Sequence, residues 1–276
     1  MRHEEGFFQG VRGVRIYQQC WLPDGKPKAV LLVVHGLGEH CGRYSNVVNY
    51  LVPLGYALYG LDHLGHGKSE GTREYVERFE DFTDTLDAYR DMVRQAQPDK
   101  PVVLYGHSLG GLISTTYLLD HQAGLAGAIL SAPLSRVPEN VSAMTVMLGR
   151  VLSRLAPKAG VVPLDATGVS RDPAVVQAYV NDPLVFHGKT PARLAAEMLR
   201  AMQRVTAEAA KITLPVMILQ GGADHLNPGD ARFLYDAVSS ADKTLKVYEG
   251  LYHETHNEPE CATVLHDMET WLEARV

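Results

Sequence analysis

Short apolar, β-branched runs alternate along the chain with longer segments whose apolar residues recur at helical spacing. That alternation predicts βαβ units around a mostly parallel sheet. Strands are expected at Ala29–His35, Tyr56–Leu61, Val102–Gly106, Gly127–Ser131, Val216–Gln220 and Thr244–Tyr248. Helices are expected near Tyr44–Leu54, Phe79–Ala96, Leu109–Asp120, Asp230–Val238 and Glu260–Glu273. Ahead of them, Val14, Ile16 and Gln18 alternate with Arg15, Tyr17 and Gln19, and Gly10 and Gly13 supply a turn, which reads as an opening hairpin ending near Trp21.

The rhythm breaks between Ala132 and Leu214, where about eighty residues carry helical patterns and prolines but no strand signal. Because a structureless loop of that length is improbable in a compact domain, this stretch reads as a helical insertion. Within it Val141, Met144, Met147, Leu148, Val151, Leu152 and Leu155 make one apolar helix face, with Arg150, Arg154 and Lys158 nearby. That face either packs over a substrate tunnel or lies in a lipid interface with the basic residues at headgroups. No run approaches the ~20 apolar residues of a membrane span.

Composition narrows the classes. The chain has 276 residues, 46% of them hydrophobic and 21% charged, which suits a large buried core and excludes a disordered chain. A net charge of −6 without a dense basic run argues against nucleic acid as a partner. The three cysteines, Cys20, Cys41 and Cys261, are odd in number and widely spaced, so neither a disulfide framework nor a cysteine zinc site is expected. With an acidic pair rather than an apolar stretch at the N-terminus, the chain reads as cytoplasmic.

The strongest chemical signal is Gly106-His107-Ser108-Leu109-Gly110, a G-x-S-x-G run directly after one expected strand and directly before a helix. A serine on so sharp a turn needs small neighbours, and Gly106, Gly110 and Gly111 supply them. A hydroxyl is a weak nucleophile at neutral pH, so Ser108 requires a histidine base and an acid to orient it, in the chain order Ser, Asp or Glu, His. Asp224 follows the strand at Val216–Gln220, and His253 follows the strand at Thr244–Tyr248. Both therefore fall on the strand-end loops where α/β sheets build sites. Asp230 reads instead as part of the next helix, Asp62 and Asp182 lie elsewhere in the chain, and His225 and His256 are less well spaced.

An acyl-transfer site also needs backbone N–H donors for the oxyanion, here from Leu109 after the nucleophile and from Leu37 in His35-Gly36-Leu37-Gly38. The twelve histidines include His63 and His66, but no H-E-x-x-H or C-x-x-C spacing is present. Neither a metal nor a nucleotide or other cofactor is expected.

Taken together these segments resemble the monoacylglycerol lipase group of the serine α/β-hydrolases, over almost the whole chain. The resemblance is carried by His35-Gly36-Leu37-Gly38-Glu39-His40 with Arg43-Tyr44, by Asp62-His63-Leu64-Gly65-His66-Gly67-Lys68-Ser69-Glu70-Gly71, and by the run around Ser108. Asn181-Asp182-Pro183-Leu184, Gln220-Gly221-Gly222-Ala223-Asp224 and Tyr248-Glu249-Gly250-Leu251-Tyr252-His253-Glu254 extend it. It implies an α/β-hydrolase core at 1–134 and 206–276 with a helical cap at 135–205. It also implies Ser108, Asp224 and His253 as the triad, Leu37 and Leu109 as oxyanion donors, and Glu39, Arg43 and His256 around the glycerol hydroxyls. The implied substrate is a small amphiphilic lipid ester, with no nucleic acid and no obligate protein partner, and with peripheral membrane contact through the cap as an added expectation. Leu37 is bulkier than the small residue of the mammalian members, and Asn227 stands where they carry a cysteine.

The rival enzyme reading is a general short- or medium-chain carboxylesterase or a lysophospholipase, with the same triad and a different pocket. A peptidase would need a carboxylate to hold the substrate amine, and the sequence does not position Glu139, Glu197 or Glu208 for that. A non-catalytic binding member of the fold has no chemical need for a complete triad.

Overall fold

The computed structural model describes residues 1–138 and 141–276, so Glu139 lies outside the described residues. The hairpin forms from β1 (Arg2–Gln9) and β2 (Arg15–Leu22), paired antiparallel from Arg2 opposite Leu22 to Gln9 opposite Arg15. After it come β3 (Val30–Val34), α1 (Ser45–Leu51), β4 (Ala57–Leu61), α2 (Glu80–Ala96), β5 (Val102–His107), α3 (Leu109–Leu118) and β6 (Gly127–Ser131). The insertion holds α4 (Ala143–Leu155), β7 (Gly160–Pro163), α5 (Pro173–Asn181), β8 (Lys189–Pro191) and α6 (Ala192–Glu208). The chain closes with β9 (Val216–Gly221), α7 (Asp230–Ala237), β10 (Lys243–Tyr248) and α8 (Cys261–Glu273).

Among the described residues one sheet runs in the order β1-β2-β4-β3-β5-β6-β9-β10, parallel from β4 onwards with the hairpin antiparallel at one edge. Because side chains alternate faces along a strand, β3 sends Val30, Leu32 and Val34 to one layer and Leu31 and Val33 to the other. The first layer packs under α2, α3 and α7 through residues such as Phe82, Leu112 and Leu234. The second packs on α1 and α8 through Val47, Leu51, Val264 and Trp271. Each fully buried Leu or Val contributes about 1.5–3 kcal/mol, so burial on both faces explains why these strands read as continuous apolar runs.

The insertion departs from the sequence expectation in its strands, and one of its helices runs past the expected end. It contains a small antiparallel sheet, β7 with β8, where the sequence reading expected no strand. These strands are four and three residues long and carry Pro163 and Pro191, so they show no period-2 pattern. The expected boundary at 205 falls inside α6, which continues to Glu208 and buries Ala201, Met202 and Val205 against the core.

In α4, Met144, Met147, Leu148, Val151 and Leu155 are all exposed, with Leu155 at 81%. These side chains do not pack over the site, while α4 leans on α6, with Arg150 Nη2 donating to Gln203 Oε1 at 3.0 Å.

Candidate active site

Ser108 sits between β5 and α3 with φ 54° and ψ −116°, a left-handed conformation that costs an L-residue of order 1–3 kcal/mol. The turn is held from both sides. The Ser108 N–H donates to the Ser131 carbonyl at 3.0 Å, and the Ser108 carbonyl accepts from the N–H groups of Leu112 and Leu134, each at 3.1 Å. A Cβ at Gly110 would stand 1.8 Å from the Val34 carbonyl oxygen, and one at Gly106 would stand 2.6 Å from the Gly110 carbonyl, so neither position admits a side chain. Leu109 opens α3, where the backbone N–H groups have no partner within the helix and the helix dipole is positive.

Asp224 and His253 come from the loops after β9 and β10. Their Oδ2 and Nδ1 atoms are 2.9 Å apart, and both residues are buried. The Asp224 carboxylate also accepts from Gln220 Nε2 at 2.6 Å and from the N–H groups of Leu226 at 2.9 Å and Asn227 at 3.2 Å. Burial pushes this carboxyl up, but the bond and charge of His253 together with the two backbone donors overcome it and hold it below the usual carboxylate range. With Nδ1 engaged by Asp224, His253 has Nε2 left for proton exchange.

Ser108 and His253 line a cavity of about 260 Å³ together with Gly36, Leu37, Leu134, Val162 and Met198. Its polar end is formed by Glu39, Glu254 and Tyr179. The Gly36 N–H is taken by Glu39 Oε1 at 2.6 Å, which leaves Leu37 as the candidate donor on this loop. Glu39 also accepts from Tyr44 Oη at 2.8 Å and from Arg43 Nη1 at 2.7 Å. Arg43 spends the rest of its fork on Glu254, at 2.6 and 2.8 Å, a bidentate pair. Burial raises both carboxyls, and for Glu254 the guanidinium prevails, holding it near 2, whereas Glu39 stays above its ordinary value.

The three residues implied for the glycerol end are thus placed differently. Glu39 lines the cavity. Arg43 stands behind it, with the Tyr179 ring 4.6 Å over its face. His256 is fully buried, stacked on Tyr44 and edge-on to Tyr105 and His107, with both ring nitrogens unpartnered, and it does not reach the cavity wall. Burial drives its imidazole down to about 4, so it is neutral. Glu254, Tyr179 and Gln220 were not singled out from the sequence. For Glu254 the available signal was its place next to His253 on a site loop.

Of the insertion's acids, Glu197 accepts from the Phe79 N–H and Arg200, and Glu208 pairs with Lys211 and Arg204. Neither faces the cavity. His63 and His66 pack with His35 at ring separations of 4.1 and 5.4 Å behind the Leu37 loop, and no group of metal-ligating side chains is found among the described residues.

The cap grips the site loops. Phe186 N–H donates to the Gly38 carbonyl at 2.8 Å, and Glu254 N–H donates to the Val169 carbonyl at 2.8 Å. His40 Nδ1 accepts from the Gly42 N–H, so its proton is on Nε2, which donates to Asp182 Oδ2 at 2.9 Å.

A capped, mostly parallel sheet with a strained serine at the end of its central strand defines an α/β-hydrolase. Residues 25–260 match the family described as serine aminopeptidase, S33, and the chain belongs to that family. It is similar to the monoacylglycerol lipase of Mycolicibacterium smegmatis, 40% identical over 97% of this chain and 96% of that one. It is 36% identical to the monoglyceride lipase of Homo sapiens, over 95% of this chain and 88% of that one. The crystal structure of the Paleococcus ferrophilus monoacylglycerol lipase superposes with a TM-score of 0.82 at 30% identity, covering 100% of both chains.

Proposed function

We propose that this chain hydrolyses monoacylglycerols to a fatty acid and glycerol through an acyl-enzyme. The observation that carries the reading is the cavity itself, apolar along most of its wall, with Ser108 and His253 on its lining and the Glu39 and Glu254 carboxylates at one end. An acyl chain suits the apolar part, and a small polyol needs hydrogen-bond acceptors of this kind. The names of relatives at 36–40% identity support the same substrate class.

Chemically, Ser108 Oγ attacks the ester carbonyl as His253 takes its proton, and Asp224 stabilises the imidazolium. The oxyanion lies at the N–H groups of Leu37 and Leu109. Collapse breaks the C–O bond, and His253 returns the proton to the departing glycerol oxygen. Water then attacks the acyl-enzyme with His253 as base, releasing the fatty acid and restoring Ser108. None of these steps calls for a cofactor.

The test compares a monoacylglycerol with the methyl ester and diacylglycerol of the same acyl chain. Wild type should favour the monoacylglycerol in kcat/KM, and Glu39→Gln should erode that preference by about tenfold, the worth of one hydrogen bond to a charged group. Equal rates on methyl esters would make the protein a general carboxylesterase instead.

The exposed stripe on α4 favours a second property, peripheral contact with a lipid surface. Met144, Met147, Leu148, Val151 and Leu155 face outward, with Arg150, Arg154 and Lys158 close by along the chain. No helix among the described residues is long and apolar enough to cross a membrane. Ser108→Ala protein should float with vesicles, and Leu148→Asp with Leu155→Asp should leave it at the bottom of the gradient. Absence of the unmodified stripe from both neutral and anionic vesicle fractions would dismiss the idea.

A further inference from the structure

The charge at the polar end of the cavity carries a specificity that its shape alone does not. Among the described lining residues are three carboxylates, Glu39, Asp165 and Glu254, and no lysine or arginine. His107 also lines the wall, but burial holds its imidazole well below its ordinary value, so it is neutral. The nearby guanidinium, Arg43, has a side chain only 9% exposed. It is engaged by Glu39 and twice by Glu254, and its face is covered by Tyr179. Whichever state Glu39 takes, the set formed by Arg43, Glu254 and Glu39 is neutral or negative, never positive.

We propose that Glu254 is a specificity-determining residue: by saturating Arg43 together with Glu39, it leaves the alcohol end of the cavity with no standing positive charge, the transient His253 imidazolium being matched by Asp224. The site accordingly accepts esters of uncharged polyols and rejects esters whose alcohol carries a phosphate. The inference rests on the reading of this end as the alcohol pocket. Its physical basis is that a phosphate brings a charge between −1.5 and −2 at neutral pH, which must shed water without meeting a cation and must lie against carboxylates. The arrangement is repulsive toward one substrate class as well as attractive toward another.

The experiment measures kcat/KM for a short-chain monoacylglycerol and for the same monoacylglycerol 3-phosphate, both below their micelle concentrations, with wild type and Glu254→Gln. Wild type should favour the uncharged ester by about 100-fold, since like charges brought together at an interface are strongly disfavoured. Glu254→Gln keeps the shape, removes one carboxylate and uncovers part of the Arg43 charge. The preference should then narrow by about tenfold, mainly through a lower KM for the phosphate ester.

Glycerol and glycerol 3-phosphate as inhibitors of wild type give the same answer without a variant, because glycerol should be the stronger. Wild-type rates within a few-fold of each other, an unchanged preference in folded Glu254→Gln, or stronger inhibition by glycerol 3-phosphate would each overturn the proposal while leaving ester hydrolysis standing. Hydrolysis of neither ester would overturn the monoacylglycerol reading and this inference with it.

Discussion

Replacing Ser108 with alanine should lower kcat for ester hydrolysis by about 10⁴- to 10⁶-fold, the usual cost of removing a nucleophile whose loss disables the whole triad. The fold should not suffer. Ser108 stabilises its turn through its backbone, by the N–H bond to Ser131 and the carbonyl bonds from Leu112 and Leu134, all of which alanine retains. The left-handed φ of 54° remains in alanine, whereas glycine adopts it freely, so Ser108→Gly should be equally inactive yet more stable by about 1 kcal/mol. Thermal melts beside the rate measurements separate the two effects. Substantial hydrolysis by the folded alanine protein would remove Ser108 from the chemistry and, with it, the mechanism above.

Acidification should unfold this protein steeply. Burial keeps His35 and His107 well below the ordinary imidazole value, His63 near 3, and His66 and His256 near 4. The packing explains why. His35 Nε2 already accepts the His63 N–H at 2.9 Å while His35 Nδ1 faces the Gly36 carbonyl at 2.8 Å, so a second proton on His35 would break the first bond.

In the unfolded chain each imidazole titrates near 6.5. Above that pH neither state is protonated and stability is intact. Below it the unfolded state binds protons that the fold refuses, so stability falls continuously toward the folded values near 3 to 4, by about 1.4 kcal/mol per pH unit for each histidine. Glu74, which burial raises to about 7, has the opposite sign, since folding favours its proton uptake below that pH; Glu39 and Asp230, also raised by burial, act alike.

Five histidines against one to three carboxyls leave a net slope of about 3–6 kcal/mol per pH unit between pH 6 and 5, a large share of the 5–15 kcal/mol typical of a folded domain. Urea unfolding at pH 7, 6 and 5 measures this directly. A stability that stayed level or rose across that range would show that these imidazoles accept protons inside the fold.

What could be read in advance follows from how each feature is encoded. Strands buried on both faces, such as Val30–Val34 and Val102–His107, announce themselves as apolar runs, and the loops after β5, β9 and β10 carry Ser108, Asp224 and His253. β7 and β8 are too short for a period, and their prolines point away from a sheet. The places of Arg43 and His256 depend on which way a loop turns, and local spacing does not record that. Glu254 and Tyr179 take their roles from convergence, since α5 brings Tyr179 over a guanidinium that lies far away in sequence. Likewise the apolar face of α4 was legible as a stripe, but whether other chain covers it is decided by where the helix docks.

The bonds between the cap and the Leu37 loop bear on how far this enzyme is modular. Phe186 holds the Gly38 carbonyl and Asp182 holds His40, so residues 182–186 belong structurally to the Leu37 loop although they lie in the inserted segment. A cap transplanted from another member would bring its own acyl preference and would also replace the struts beside Leu37, the proposed oxyanion donor. Exchange of substrate range by grafting is therefore cleanest upstream of this stretch, at β7, where Val162 and Pro163 line the cavity and pair with β8 rather than with the loop that carries Leu37.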